Sequence, residues 1–248
     1  MNIAVILAGG TGSRVGTDIP KQYIEVCGKP VIGYCLDKIA ACGAVDAVQI
    51  VAEAGWHDYI RNWMEKDLTC TESGLTEKWR GFSEPGENRQ LSVYHGLTDI
   101  LRYASADDYV MIHDAARPQV SPAFLTKCFE MARGHDGVLP VLPMKDTVYL
   151  SEDGEKVSSL LEREKIFAGQ APEVFLLGKY YEANRRLLPE QILGINGSAE
   201  PAVMAGMDIL MIPGEEGNVK ITTRGDLERF GRMVEEEFSQ PGFLWKKQ

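Results

Sequence analysis

Residues 6–23 read ILAGGTGSRVGTDIPKQY. An apolar run stops at Gly9 and Gly10. Thr11, Gly12 and Arg14 follow, and Lys21 stands directly behind Pro20. Glycine lets the chain turn through positive φ and lets a ligand approach the amides closely. Successive amides in such a turn form a nest for an anion, and Arg14 and Lys21 bring two positive side chains to the same place. Together these residues can hold a chain of phosphates; the bland alternative is a tight turn with solvated cations. Two commoner phosphate loops fit poorly. The dinucleotide fingerprint asks for a small residue where Val15 stands, and a P-loop asks for serine or threonine after its lysine, where Gln22 stands.

A second constellation, His113-Asp114-Ala115-Ala116-Arg117-Pro118, follows the apolar stretch 108–112. Mg²⁺ takes one or two carboxylates plus phosphate oxygens and water, and Asp114 at a strand end suits that role. Arg117 suits a second anion or a salt bridge, and His113 reads as a hydrogen-bonded structural histidine. In GENRQLSV (86–93), Gly86 permits close approach, Ser92 lies near a helix start, and Arg89 serves an anion or a salt bridge. Lys145, Asp146, Thr147 and Arg163 are polar groups with no core to serve. Lys220 stands between Val219 and Ile221, so it points to the far face of a strand or into a cleft.

Elements must place these groups. NIAVILA (2–8), VDAVQIVAE (45–53), DYVMIHDAARP (108–118, entering a turn) and DGVLPVLP (136–143) read as buried strands, with MDILMIP (207–213) and NVKIT (218–222) as short strands near the end. Helical spacing covers 30–42, 56–66, 88–104 and the final TRGDLERFGRMVEEEF, and Ser121-Pro122 marks a further helix start. Residues 70–88 read as a long polar loop, and 144–173 has no clean period. The alternation predicts an α/β fold: a mostly parallel, doubly wound sheet with helices on both faces. In such sheets ligands sit beyond the carboxyl ends of the strands, where both constellations fall.

Composition narrows the partners. At 248 residues, 44% hydrophobic and 25% charged, the chain can bury a sizeable core. Its net charge of −10 repels duplex DNA and anionic membranes, and makes a nucleotide site depend on local cations. No apolar run approaches the roughly 18 residues of a membrane span. The N-terminus reads as a strand, not a signal peptide. Five cysteines without a CxxC pair suit core thiols in a reducing cytoplasm.

In order and spacing, Gly9-Gly10-x-Gly12-x-Arg14, Pro20-Lys21-Gln22, Arg89-x-x-Ser92-Val93, His113 to Pro118, Asp146-Thr147 and Asn218 to Thr222 resemble the cytidylyltransferases acting on 2-C-methyl-D-erythritol 4-phosphate. Their relatives that make CDP-ribitol share most of these motifs. The resemblance covers about residues 2–238. It implies a single Rossmann-like nucleotidyltransferase domain over 1–240, a projecting dimerisation arm near 144–165, a short tail at 241–248 and a cytoplasmic homodimer. It implies that a polyol phosphate attacks the α-phosphorus of CTP and releases pyrophosphate, with Mg²⁺ on Asp114. Gly9, Gly10, Thr11 and Gly12 would wrap the triphosphate, and Ala8, Gly86, Glu87 and Ser92 would shape the cytosine and ribose pocket. Arg14 and Lys21 would stabilise the transition state. Thr147, Arg117 and Lys220 would meet the acceptor or α-phosphate, with Arg163 arriving from the partner subunit.

The acceptor half departs from the family pattern. Ala171-Pro172-Glu173 replaces Thr-Pro-Gln, Asn196-Gly197-Ser198-Ala199 replaces Thr-Asp-Asp/Glu-Ala, and Gly217 stands where an acidic residue is common. 2-C-methyl-D-erythritol 4-phosphate is the expected acceptor, in isoprenoid precursor synthesis; ribitol 5-phosphate for cell-wall or capsule polymers is the alternative. A sugar-1-phosphate nucleotidyltransferase and a nucleotide-binding regulator with weakened catalysis are further alternatives.

Overall fold

Runs of valine, isoleucine and leucine without polar alternation are stable as strands only when both faces are covered. The computed structural model describes residues 1–10, 16, 19–67, 72 and 74–239. In chain order it contains β1 (Asn2–Leu7), the small hairpin β2 (Glu25–Val26) and β3 (Lys29–Pro30), α1 (Val31–Ala40), β4 (Ala47–Val51), α2 (His57–Lys66), α3 (Leu75–Lys78), β5 (Trp79–Ser83), α4 (Arg89–Ile100), β6 (Tyr109–Asp114), α5 (Pro122–Ala132) and β7 (Gly137–Pro143). Then follow β8 (Tyr149–Leu150), β9 (Ser159–Leu160), β10 (Phe167–Gly169), β11 (Glu173–Leu176), α6 (Leu177–Arg185), α7 (Glu200–Met204), β12 (Ile209–Pro213) and α8 (Arg224–Ser239).

Eight of these strands make one sheet. From one edge it runs β5, β4, β1, β6, β11 and β7; β10 and β11 follow each other along one side of β7, and β12 takes the other. β4, β1 and β6 pair in parallel, as do β4 with β5 and β7 with β12, while β10 and β11 run antiparallel to their neighbours. The chain is thus a single α/β domain with a mostly parallel sheet. Alternate residues of each strand enter opposite cores: Ala4, Ile6, Val48, Ile50 and Met111 on one face, Ile3, Val5, Val51, Val110 and Ile112 on the other. The helix start expected at Ser121 is present, its Oγ accepting from the Phe124 amide at 3.1 Å.

Register brings the strand ends level. Leu7 lies beside Asp114 on one side and Val51 on the other, and Val51 lies beside Ser83. Because β11 runs the opposite way, its first residue, Glu173, sits at that same end, opposite Ile112.

Three expectations are corrected. The 70–88 loop contains α3 and the edge strand β5; Gly81 takes φ +134° and the β4–β5 register shifts there, so no clean alternation marks the strand. The 218–222 segment is no strand. It is held instead by Ile221 donating to the Ala116 carbonyl at 2.9 Å and by Asn218 donating to the Ala171 carbonyl at 2.7 Å. The helix expected to reach residue 42 ends at Ala40, although Cys35 and Cys42 are both buried. Among the described cysteines Cys27 is exposed, Cys128 is buried and all four are free thiols. Within the aperiodic 144–173 stretch, β8 and β9 pair as a hairpin that exposes Tyr149, Leu150, Val157 and Leu160. No helix among the described residues is long and apolar enough to cross a membrane.

Candidate active site

A cavity of about 550 Å³ opens at the carboxyl end of the parallel strands, between the exits of β1, β4, β5 and β6. Leu7, Gly9 and Gly10 form its floor, the Pro85–Arg89 turn one wall, and Lys21, Asp114, Lys220 and Thr222 further walls.

The glycine turn is fixed from behind. Pro20 (φ −57°) leads into a single 3₁₀ turn, Lys21–Tyr23. Gln22 Nε2 donates to the carbonyls of Ala8 (2.5 Å) and Gly10 (2.8 Å), and Tyr23 Oη donates to the Ala8 carbonyl at 3.0 Å. Tyr23 in turn stacks on Trp56, with ring centroids 4.1 Å apart. These contacts hold the turn that carries Lys21 against the end of β1. At Gly9 a Cβ would come within 2.6 Å of Pro85, so glycine is required for the two loops to meet.

On the opposite wall, Ser92 Oγ accepts from the Gly86 amide and donates to the Asn88 carbonyl, each at 2.9 Å. Asn88 caps α4 by accepting from the Leu91 amide at 2.8 Å. Ser92 therefore shapes the Gly86–Asn88 turn. A Cβ on Gly86 would meet Leu91 at 2.5 Å.

Asp114 is the electrostatic centre. Its Oδ1 accepts from Arg89 Nε and Nη2 at 3.2 and 3.1 Å. Its Oδ2 faces Lys220 Nζ at 3.0 Å and Arg117 Nε at 3.4 Å. Burial alone would push the carboxyl pKa up; Arg89, Lys220 and Arg117 outweigh it and hold Asp114 well below the usual carboxylate range. Lys220 reaches this carboxylate because its segment is tied down on both sides. Arg117 Nη1 donates to the Asn218 carbonyl at 2.8 Å, and Gln170 Nε2 donates to the same carbonyl at 3.1 Å. As to a metal, no group of three or more His, Cys, Asp or Glu is gathered for one among the described residues. Asp114 alone fits a divalent cation whose remaining ligands are phosphate oxygens and water.

His113 takes no part in the cavity wall. It is fully buried, and its Nε2 lies 3.3 Å from the Arg117 carbonyl. Burial lowers its pKa from 6.5 to about 4, against the pull of Asp114. A folded-state pKa below the unfolded one means that stability is complete above about pH 6.5 and declines as the pH falls toward 4. At about 1.4 kcal/mol per unit the loss comes to about 3 kcal/mol. Urea unfolding between pH 7 and 4.5 should show that slope, and His113→Gln should flatten it; an unchanged slope would take His113 out of the acid response.

The sequence profile of the IspD family, 2-C-methyl-D-erythritol 4-phosphate cytidylyltransferase, matches residues 2–236. The chain belongs to the IspD family. It is accordingly a nucleotidyltransferase, a cytidylyltransferase. Similar proteins of this IspD-family chain include the ribitol-5-phosphate cytidylyltransferase of Streptococcus agalactiae serotype V, 32% identical over 240 residues and covering 95% of each chain. The 2-C-methyl-D-erythritol 4-phosphate cytidylyltransferase of Pelotomaculum thermopropionicum is 33% identical over 240 residues, 94% of this chain and 97% of its own. The crystal structure of the Francisella tularensis 2-C-methyl-D-erythritol 4-phosphate cytidylyltransferase superimposes with a TM-score of 0.75 at 25% identity, covering 93% of this chain and 98% of that one.

Of the residues expected to form the site of this IspD-family protein, Gly9, Gly10, Lys21, Gly86, Glu87, Ser92, Asp114 and Lys220 line the cavity. Ala8 lies buried directly behind it, and Arg117 reaches it through Asp114. Thr11, Gly12 and Arg14 lie outside the described residues. Thr147 and Arg163 are on the exposed stretch that carries the β8–β9 hairpin, where Arg163 donates to the Lys145 carbonyl at 3.1 Å; neither lines the cavity. Sequence reasoning missed Gln22 as the brace of the glycine turn, and Gln170 and Asn218 as the braces of Lys220. A glutamine beside a glycine turn carries no distinguishing pattern, and the other two act across 48 residues.

Proposed function

We propose that the chain transfers the cytidylyl group of CTP to a polyol phosphate, with 2-C-methyl-D-erythritol 4-phosphate as acceptor. The observation that carries this reading is the cavity at the strand ends, where Arg89, Arg117 and Lys220 surround one carboxylate and Lys21 lines the same cavity beside a glycine turn. Ribitol 5-phosphate is the second reading, favoured by the Streptococcus agalactiae relatives.

An oxygen of the acceptor phosphate forms a bond to the α-phosphorus of CTP, the bond from that phosphorus to the β-bridging oxygen breaks, and the electron pair leaves with pyrophosphate. A phosphate monoester is already largely dianionic at pH 7, so no general base is needed, consistent with the buried, neutral His113. The barrier is the approach of two anions, and fixed cations lower it where charge develops. Lys21, held on its braced turn, faces the α-phosphate; Arg117 and Lys220 receive the acceptor phosphate. Ala8, Gly86, Glu87 and Ser92 bound the nucleoside. Mg²⁺, when bound on Asp114, supplies further neutralisation of the phosphates. By resemblance, Thr11, Gly12 and Arg14 belong to the triphosphate side. Thr147 and Arg163 belong to the acceptor side, with Arg163 contributed by a second copy that packs on the apolar 149–160 hairpin in a homodimer. The domain then spans 1–240 with the hairpin as its arm and 241–248 as a tail, and the enzyme works in the cytoplasm, where CTP is made.

Purified protein with CTP and Mg²⁺ should release pyrophosphate only when a polyol phosphate is present. A panel containing both named acceptors identifies the substrate by the CDP-polyol formed. Release with neither acceptor, or a preference for UTP or dTTP, would overturn the reading.

A further inference from the structure

Glu173 is a buried carboxylate that the reaction as described does not use. It is 8% exposed, and its Oε2 has no hydrogen-bond partner among the described residues. A buried carboxylate lacking a partner costs free energy unless a nearby charge compensates it. Its compensation is local. Glu173 lies beside Ser198, a residue 1% exposed whose Oγ accepts from Arg89 Nη1, and the Glu173 charge acts on the same guanidinium. The other two nitrogens of the same guanidinium, Nε and Nη2, donate to Asp114 Oδ1. Arg89 is therefore gripped from two banks: Asp114 on the cavity side, and Ser198 backed by Glu173 behind.

We propose that Glu173 is a positioning residue that, through Ser198, keeps Arg89 in place when Asp114 turns its oxygens to incoming ligands. The inference rests on the proposed cytidylyl transfer only for its kinetic effects. Three cations, Arg89, Arg117 and Lys220, share Asp114. When a metal–triphosphate occupies that carboxylate, Lys220 and Arg117 have phosphates to turn to. Arg89 has the rear carboxylate, so it stays as a fixed wall and does not follow Asp114 or compete for it. Among the described residues, the acidic groups that act most strongly on Arg89 are Asp114 and Glu173, followed by Tyr180.

Glu173→Gln tests this, because glutamine keeps the size and an oxygen for Ser198 but removes the charge. Loss of such an outer partner of a ligand residue typically costs about 10- to 100-fold, and kcat should fall in that range with the KM for CTP little changed. Glu173→Asp should stay within about threefold of the parent, in line with the modest effect of conservative changes. Moving the charge closer to the guanidinium on the same bank, with Ser198→Asp in the Glu173→Gln background, should recover at least part of the loss. Independently of turnover, the Arg89 Nε–H resonance, assigned by its absence in Arg89→Lys, should shift and broaden in Glu173→Gln and keep its parent position in Glu173→Asp. A Glu173→Gln protein with parental kcat and an unmoved Arg89 resonance overturns the proposal. If no polyol phosphate supports turnover in any variant, the functional reading fails, and the resonance alone decides the role of Glu173. A Ser198→Asp double variant that does not fold leaves the glutamine and aspartate pair to decide it.

Discussion

Asp114→Asn is expected to lower the unfolding free energy by about 2–3 kcal/mol and to abolish turnover. Breaking a fully buried ion pair by removing one partner costs about 3–5 kcal/mol, because the other charge is left uncompensated. Here the Asp114 side chain is 9% exposed and serves three cations, but Arg89 and Lys220 keep 30% and 32% of their side-chain surface, so solvent screens part of the loss. Asparagine fills the same volume, so packing is preserved and the difference is electrostatic. In urea the midpoint should fall at unchanged m. Since the folded-state pKa of Asp114 is depressed, its contribution is present above about pH 4, the ordinary carboxyl range, and is lost only in stronger acid. That window lies below the one in which His113 acts. An Asp114→Asn protein with the parental midpoint would show that the three cations do not depend on this carboxylate.

Lys21→Ala should separate catalysis from stability in the opposite sense. The turn that carries Lys21 is anchored by Gln22 and Tyr23 on the Ala8 and Gly10 carbonyls. Truncating the lysine side chain leaves those anchors in place, and the stability change should stay within about 0.5 kcal/mol. Removing one preorganised group that stabilises developing charge typically costs about 10²–10³-fold in kcat. Both kcat and kcat/KM should fall by that factor, the pattern of an interaction made in the transition state. A loss of less than about threefold would move Lys21 out of the chemistry, since it would be far below the cost of a preorganised charge.

The strands that are buried on both faces were legible as apolar runs, and with them the sheet and the place of the cavity. Asp114 and the glycine turn follow from that geometry, because one ends β6 and the other follows β1; Lys21 is brought back to the same place by the braced Pro20 turn. The edge strand Trp79–Ser83 escaped notice because it is partly exposed and bent at Gly81. The alternation of Val219 and Ile221 around Lys220 imitated a strand where only isolated hydrogen bonds hold the segment. The Arg89 cluster is the least legible part. Its members lie up to 109 residues apart, and each alone passes for a surface ion or a polar loop residue. Glu173 and Ser198 stood out in the sequence only as two departures from a family pattern; the fold brings both to one side of the Arg89 guanidinium. Thr147 and Arg163 do not line the cavity of the described residues, and their expected part rests on the second copy proposed above.

In the proposed reaction the braced lysine and the Asp114 cluster close around the innermost phosphate of CTP. A crystal of the protein soaked with CTP and Mg²⁺ tests it most directly. The nucleotide should lie in the cavity with its base against the Gly86–Ser92 wall and the Lys21 amine within ion-pair distance of an α-phosphate oxygen. A nucleotide bound elsewhere, or one held in the cavity with that amine turned away from the α-phosphate, would rule this arrangement out.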